Sequence, residues 1–221
     1  IITIDGPAGA GKSSIARMVS HHLGYRYIDT GAMYRAITWK VIQSRVKLTD
    51  QERIVRLTRN TKIEFKETDG LPRVLLDGKD VTNAIRTARV SENTSFIAAL
   101  PGVRQCMVEI QREVGKEGGM VMEGRDIGTV VFPDAEYKFY LDATVQERAL
   151  RRWKELVAKG EKADLKQIED SIRRRDRRDR TRGLNPLVIP KGAIIIDSTK
   201  MSIKEVVEFI LEHIDESEKR L

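Results

Sequence analysis

The 221-residue sequence predicts an α/β fold in which strands of a mainly parallel sheet alternate with helices and end in polar loops. Three observations lead there. The chain opens with Ile1, Ile2 and Ile4 as an apolar strand, turns through the glycine-rich run GPAGAGKSS, residues 6–14, and continues with Ile15, Met18, Val19 and Leu23 at helical spacing. Later short apolar runs end in polar clusters, at Asp29-Thr30-Gly31, Glu123-Gly124-Arg125-Asp126 and Asp197-Ser198-Thr199, the strand ends at which open parallel sheets bind ligands. Ala193 to Ile196, finally, is a continuous apolar strand of the kind buried on both faces.

The first turn carries the most chemistry. Gly6, Gly11, Lys12 and Ser13 occupy the fixed places of the phosphate-loop pattern G-x-x-x-x-G-K-[ST], with strand, turn and helix in the required order. Glycines leave backbone N–H groups free to wrap an anion, and the helix start adds partial positive charge. The run Gly6, Pro7, Ala8, Gly9, Ala10, Gly11, Lys12, Ser13 and Ser14 is therefore the candidate phosphate cradle. Lys12 would reach the β and γ phosphates and Ser13 would hold a magnesium ion. The plain alternative, a glycine-rich turn with an incidental lysine, fits the flanking elements less well.

The remaining elements follow from local signals. Gly24 breaks the first helix, Tyr25 to Ile28 reads as a strand, and Ala32 to Ser44 reads as a helix with Tyr34 and Arg35 in its first turns. Arg35 is either a solvated helix charge or a contact to whatever the strand end holds. Thr49 and Glu52 form a capping-box pair for a helix from about Asp50 to Asn60. Ile63 to Phe65 and Val74 to Leu76 read as strands around the turn signals Asp69-Gly70 and Pro72, and Asp77-Gly78 marks another turn. This antiparallel patch interrupts the βα series and so reads as an insertion. Helical patterns resume over Val90 to Leu100, and Pro101 starts a helix to about Val114 that carries Arg104 near its beginning.

Gly118-Gly119 ends that helix, and Met120 to Met122 is a strand. Glu123 at its end can hold the waters of a magnesium ion, while Arg125 and Asp126 can face a second substrate; a charged turn is the alternative. Tyr137 to Leu141 is a further strand, and Thr144 with Glu147 caps a helix to about Val157. Arg151 and Arg152 precede an exposed loop, Ala158 to Asp164. The next helix ends in RRRDRRDRTR, residues 173–182, where Arg175, Asp179 and Arg182 share one face and Arg174 and Arg178 form a neighbouring row. A solvated charge run and a mobile, phosphate-binding lid both fit that segment. Ser202 and Glu205 cap a last helix whose Ile203, Val206, Val207, Ile210, Leu211 and Ile214 form an apolar packing stripe.

Composition narrows the function classes. Forty Lys plus Arg against 33 Asp plus Glu leaves a net charge of +7, which implies an anionic partner, either a nucleic acid or a ligand rich in phosphate. Three histidines and one cysteine lack metal-ligand spacing, which argues against a structural zinc site. Cys106 reads as a small buried side chain, and a single cysteine forms no intrachain disulfide, which fits a reducing cytoplasm. No apolar run approaches the roughly 18 residues of a membrane span, so a soluble chain is expected. The direct opening into a strand shows no signal peptide, while the missing initiator Met points to residues before Ile1.

IDGPAGAGKSS at 4–14, DTGAMYR at 29–35, GRDIGTVVFPDA at 124–135, RRDRRDRTR at 174–182 and IDST at 196–199 together resemble the bacterial cytidylate kinases, of the nucleoside monophosphate (NMP) kinase group, over essentially the whole chain. The resemblance implies a P-loop three-layer α/β fold with a five-stranded parallel sheet core, a small antiparallel β insertion in the NMP-binding region and a short helical lid. It implies a P-loop core of residues 1–30, 106–150 and 183–221. Residues 31–105 would form the NMP-binding region, with the insertion around 62–81, and 151–182 the lid and its flanking helices.

By matching positions, Thr30 and Arg35 would contact the nucleotide, with Arg35 and Arg125 gripping the CMP phosphate. Ser95, Arg104 and Asp126 would read the cytosine. Asp179 would hold the sugar hydroxyl, with Arg175 and Arg182 near sugar and phosphates. Lys12, Arg125, Arg152 and Arg178 are the expected catalytic cations, and Ser13 with Glu123 the expected Mg2+ site. Glu123 stands where the family commonly has Asp, and Thr30 where some members have Ser; neither change removes the functional group. The implied reaction passes the γ-phosphoryl group of ATP to CMP or dCMP. Its partners would be those small molecules alone, with no nucleic acid and no membrane, and the protein would be a cytoplasmic monomer.

Three rivals remain at this level. The insertion and the 124–135 segment argue against another small P-loop kinase, acting on UMP, AMP or shikimate. An RNA-binding module would use the arginine-rich helix, but aromatic residues are only 5% and none flanks those arginines as a stacking platform. A nucleotide-driven switch would need a guanine-reading motif, and none accompanies the phosphate loop.

Overall fold

The computed structural model describes residues 1–68 and 71–218. The chain divides into two compact units, one formed by Ile1–Tyr27 with Gly119–Leu221 and the other by Ile28–Gly118.

The first unit contains β1 (Ile2–Asp5) and α1 (Lys12–Leu23), and β2 (Arg26–Asp29) begins in it. After the excursion through the second unit, which supplies α2 to α5 and β3 to β5, it continues with β6 (Met120–Gly124), β7 (Tyr137–Asp142), α6 (Val145–Ala158), α7 (Leu165–Thr181), β8 (Ile194–Asp197) and α8 (Ile203–Glu218). The sheet is five-stranded and parallel, in the order β2-β6-β1-β7-β8, as the fold class requires. Every residue of β1 is buried because the strand is central. Its Ile2 and Ile4 meet Ile15, Ala16 and Val19 of α1, Phe139 and Leu141 of β7, and Val206, Val207, Ile210 and Ile214 of α8 in one core. Register places Asp5 level with Gly124 and Tyr140, and Asp142 level with Asp197. The loops after β1, β6, β7 and β8 therefore leave the same edge of the sheet.

Several sequence expectations shift here. β8 is an edge strand: Ile196 is 3% exposed but Ile195 is 58% exposed, so the apolar run is buried on one face rather than both. The helical stripes are narrower than the periodicity suggests, since Met18 and Ile203 are exposed while their neighbours in the stripe pack inward. The capping box at α8 is complete, with Glu205 N–H donating to Ser202 Oγ at 3.2 Å and Ser202 N–H donating to Glu205 Oε2 at 2.7 Å.

In the second unit the elements are α2 (Thr30–Gln43), α3 (Gln51–Arg59), β3 (Ile63–Thr68), β4 (Leu71–Leu76), β5 (Lys79–Asp80), α4 (Ala88–Ile97) and α5 (Pro101–Gly115). β3, β4 and β5 form the expected antiparallel patch. Asp77 and Gly78 turn β4 into β5 with φ of 50° and 81°, the positive pair that a two-residue hairpin of type I′ demands. Pro72 is not a turn residue; it lies inside β4 opposite Glu67, beyond the reach of β5, which pairs only with Leu75 and Leu76. The expected Asp69-Gly70 turn lies outside the described residues. α3 is capped by Asp50, whose carboxylate accepts Arg53 N–H at 3.0 Å, one residue later than the expected Thr49. α5 packs on α3 within this unit, which runs on to Gly118.

The contrast within β8 gives a stability test. Ile196→Ala should cost about 2–4 kcal/mol in urea denaturation through the cavity it leaves. Ile195→Lys should stay within roughly 0.5 kcal/mol of the parent chain.

Candidate active site

The phosphate loop is shaped by two glycines. Gly6 has φ of 150°, and a Cβ there would fall 2.0 Å from the Leu141 carbonyl oxygen, so no other residue fits. Gly11 caps α1 in the left-handed region at φ 95°, with no side-chain cap and no acidic residue in the first turn. The first N–H groups of α1 are thus left to an external anion. Lys12 is 5% exposed and donates to Pro7 O at 2.7 Å. Ser13 Oγ donates to the Glu123 carboxylate, and Tyr27 donates to the same oxygen at 3.1 Å.

Charge in this unit is concentrated beneath the loop. Burial, then the neighbouring Arg125, pulls the Lys12 ammonium down to about 7, with Arg175 adding to the effect and Glu123 and Asp5 opposing it. Burial likewise pushes the Asp5 carboxyl up to about 6, although Ile127 N–H at 2.9 Å and Gly128 N–H at 2.7 Å both donate to it. Those two amides open a wide turn at Ile127–Val131, in which Val131 and Phe132 N–H reach back to Asp126 and Ile127 carbonyls. Asp5 therefore holds the segment directly after Arg125 and Asp126.

α7 brings its polar face to the same residues. Arg125 Nε donates to Asp179 Oδ2 at 3.1 Å; Arg182 lies 3.5 Å from Asp126 Oδ1 and 3.9 Å from Asp179 Oδ1. Burial raises the Asp179 carboxyl, but Arg125, Arg175 and Arg182 outweigh it and hold the group below the usual carboxylate range. Arg175 and Arg182, which sequence spacing placed on one face with Asp179, thus both act on it. Arg152 and Arg178 stand apart: Arg152 pairs with Glu155 at 2.7 Å on a half-exposed side chain, and Arg178 is exposed on α7.

Sequence reasoning passed over Asp5, Arg148, Asp176 and the role of Arg151. Arg148 and Arg151 donate to the loop carbonyls of Ala8 and Ala10 at 2.8 and 3.4 Å. The available signals were the polar Thr3 and Asp5 alternating within an apolar strand and the three-residue spacing of the arginines on α6.

The second unit holds the other candidates. Thr30, 3% exposed, begins α2, whose cap is Asp29: one carboxylate oxygen accepts Ala32 N–H at 2.8 Å and the other accepts Arg35 at 2.6 Å. Arg35 Nε is buried without a hydrogen-bond partner. Arg104, 1% exposed, donates to Ala98 O at 3.0 Å, and its guanidinium carbon lies 5.5 Å from the centre of the Tyr34 ring, a cation–π distance. Ser95 is half-buried on α4. Among the described residues no group of three or more His, Cys, Asp or Glu could hold a metal ion, and no helix is long and apolar enough to cross a membrane. A hard cation would instead rely on Ser13, Glu123 and phosphate oxygens, a donor set that suits magnesium.

A phosphate loop on the central strand of a parallel sheet, with cations gathered behind it, defines a P-loop kinase. The model of the cytidylate kinase family matches residues 2–216, and the chain belongs to that family. It is 51% identical over 211 residues to a cytidylate kinase of Pelotomaculum thermopropionicum, covering 95% of this chain and 93% of that one. It is 47% identical over 218 residues to a cytidylate kinase of Caldanaerobacter subterraneus subsp. tengcongensis, covering 99% and 96%. A solved structure of an uncharacterized protein from Eubacterium ventriosum shares the fold, with a TM-score of 0.52 at 10% identity over 97% of each chain.

The perturbed lysine predicts a pH effect with a definite sign. The ammonium is lowered in the folded chain from 10.5 to about 7, so between those values the unfolded chain binds more protons and stability rises with pH. Lys12→Met should therefore raise the unfolding free energy at pH 7, and the gain should shrink as pH approaches 10, as followed by urea denaturation across that range.

Proposed function

We propose that the protein transfers the γ-phosphoryl group of ATP to CMP or dCMP, giving ADP and CDP or dCDP. The observation that carries this reading is the reach of the family match, which includes both the phosphate-loop unit and the unit holding Arg35 and Arg104. Nothing favours a UMP, AMP or shikimate acceptor.

The reaction needs little covalent chemistry, because an oxygen of the monophosphate is already an ionised nucleophile and no general base is required. What the chain supplies is position and charge. The phosphate-loop amides and Lys12 hold the donor phosphates; Arg125 and Arg175 supply cations near Lys12, and Arg182 one beside Asp126 and Asp179, that can take up charge as it spreads over the transferring group. Lys12 must leave the Pro7 carbonyl to do so. Mg2+, when bound, would neutralise β- and γ-phosphate charge; Ser13 and Glu123 are the residues that would hold it. Thr30 and Arg35 would serve the acceptor phosphate, and Ser95 and Arg104 the base. Asp126, a buried carboxylate, is likewise a candidate for reading the base. Asp179 would bind the sugar hydroxyl. Residues 31–105 act as the NMP-binding region and 151–182 as the lid, with Arg152 and Arg178 recruited when it closes. The protein would work as a cytoplasmic monomer on small molecules alone.

A coupled assay across CMP, dCMP, UMP and AMP tests the reading directly: CMP and dCMP should be the favoured acceptors, and preference for AMP would overturn it. Lys12→Ala should lower turnover by on the order of a hundredfold to a thousandfold. Asp126→Ala should narrow the discrimination between CMP and UMP, read as the ratio of their kcat/KM values.

A further inference from the structure

Two arginines one helical turn apart on α6 underlie the phosphate loop, and the proposed reaction assigns neither. Arg148 is 2% exposed, and all three of its nitrogens are used: Nε donates to Ala143 O at 2.9 Å, one terminal nitrogen to Ala8 O at 2.8 Å and the other to Asp176 Oδ2 at 2.7 Å. The loop lies directly on this residue, since a Cβ on Gly9 would stand 3.1 Å from Arg148 Cβ. Arg151 donates to Ala10 O at 3.4 Å and is itself fixed by Ser198 O at 2.6 Å, Ser198 Oγ at 3.1 Å and Glu147 at 2.9 Å.

A trans peptide plane points its C=O and N–H in opposite directions. A donor that holds the Ala8 carbonyl on the α6 side turns the Gly9 N–H the other way, and a donor on the Ala10 carbonyl does the same for the Gly11 N–H. These are amides of the cradle. A buried ion pair such as Arg148–Asp176 adds little net stability, so its presence directly under the loop calls for a role beyond packing. Asp176 follows Arg175 and precedes Asp179 on α7, which ties loop geometry to the helix whose arginines surround Asp179.

We propose that Arg148 and Arg151 are positioning residues for the donor phosphates, orienting the loop amides through the Ala8 and Ala10 carbonyls, and that Asp176 fixes Arg148. The identity of the donor as ATP rests on the proposed function; the orientation of the amides does not.

The test is calorimetric titration with ATP and Mg2+ in the absence of acceptor, alongside KM for both substrates. Arg151→Met should weaken ATP binding by about tenfold while KM for CMP stays within about twofold. Arg148→Met alone would strand a buried carboxylate, so the paired replacement Arg148→Met/Asp176→Leu, which exchanges the ion pair for apolar packing, carries the second arm. That double variant should melt as a folded protein and show the same selective loss of ATP affinity. Unchanged ATP binding in Arg151→Met, or in a folded double variant, overturns the proposal, as does equal weakening of both substrates. If the double variant does not fold, Arg151→Met decides alone. A parent chain that binds ATP yet phosphorylates no cytidylate counts against the proposed function and leaves this test intact.

Discussion

An ammonium group kept almost wholly out of water must have its charge answered close by, and the first unit is built around answering Lys12. Glu123 and Asp5 attract it, Arg125 and Arg175 repel it, and burial outweighs the attraction, so its proton is held less firmly than on a free lysine. Such a balance favours an added negative charge beside the ammonium. The central position of β1, the register that aligns Asp5 with Gly124 and Tyr140, and the open start of α1 all serve to keep these groups together. A cradle in this condition gains from any anion that restores the lysine's full charge, and a chain of phosphates does so while meeting the loop amides.

Much of this was legible in the sequence because its signals are local. A strand, a glycine turn and a helix must follow one another for a phosphate loop to form, and residues 2–23 do so. The spacing of Arg175 and Asp179 is a property of one helix, and Arg182, just past its end, still lies 3.9 Å from Asp179. What stayed hidden depends on which segments become neighbours. Whether β8 is central or at an edge is decided by strand order, which apolarity alone does not encode. Pro72 looks like a turn signal because proline disrupts ladders, yet it lies beyond the reach of β5, where the N–H it lacks would have no partner on that side. Arg148 and Arg152 have the same side chain on the same helix, and only the place of α7 decides that one is buried against Asp176 and the other pairs with Glu155 in solvent.

The second unit solves a different problem, how to keep a guanidinium deep inside a small helical core. Arg104 is among its most buried large side chains, with a carbonyl at the end of α4 and the face of Tyr34 as partners. A guanidinium carries five N–H donors on a flat, polar plane, a shape suited to the edge of a polar ligand. Arg35 differs, because Asp29 both caps α2 and holds its charge. Any anion that Arg35 meets must therefore compete with that ion pair.

The edge position of β8 has a consequence for behaviour in a crowded solution. A strand with one unpaired side and an outward isoleucine offers a template on which a partly unfolded neighbour could lay its own backbone. The chain limits this hazard by making β8 only four residues long, by leading into it through Pro190, Lys191 and Gly192, and by ending it at Asp197. Ring, charge and brevity thus guard the border of the sheet, away from the phosphate loop on its central strand.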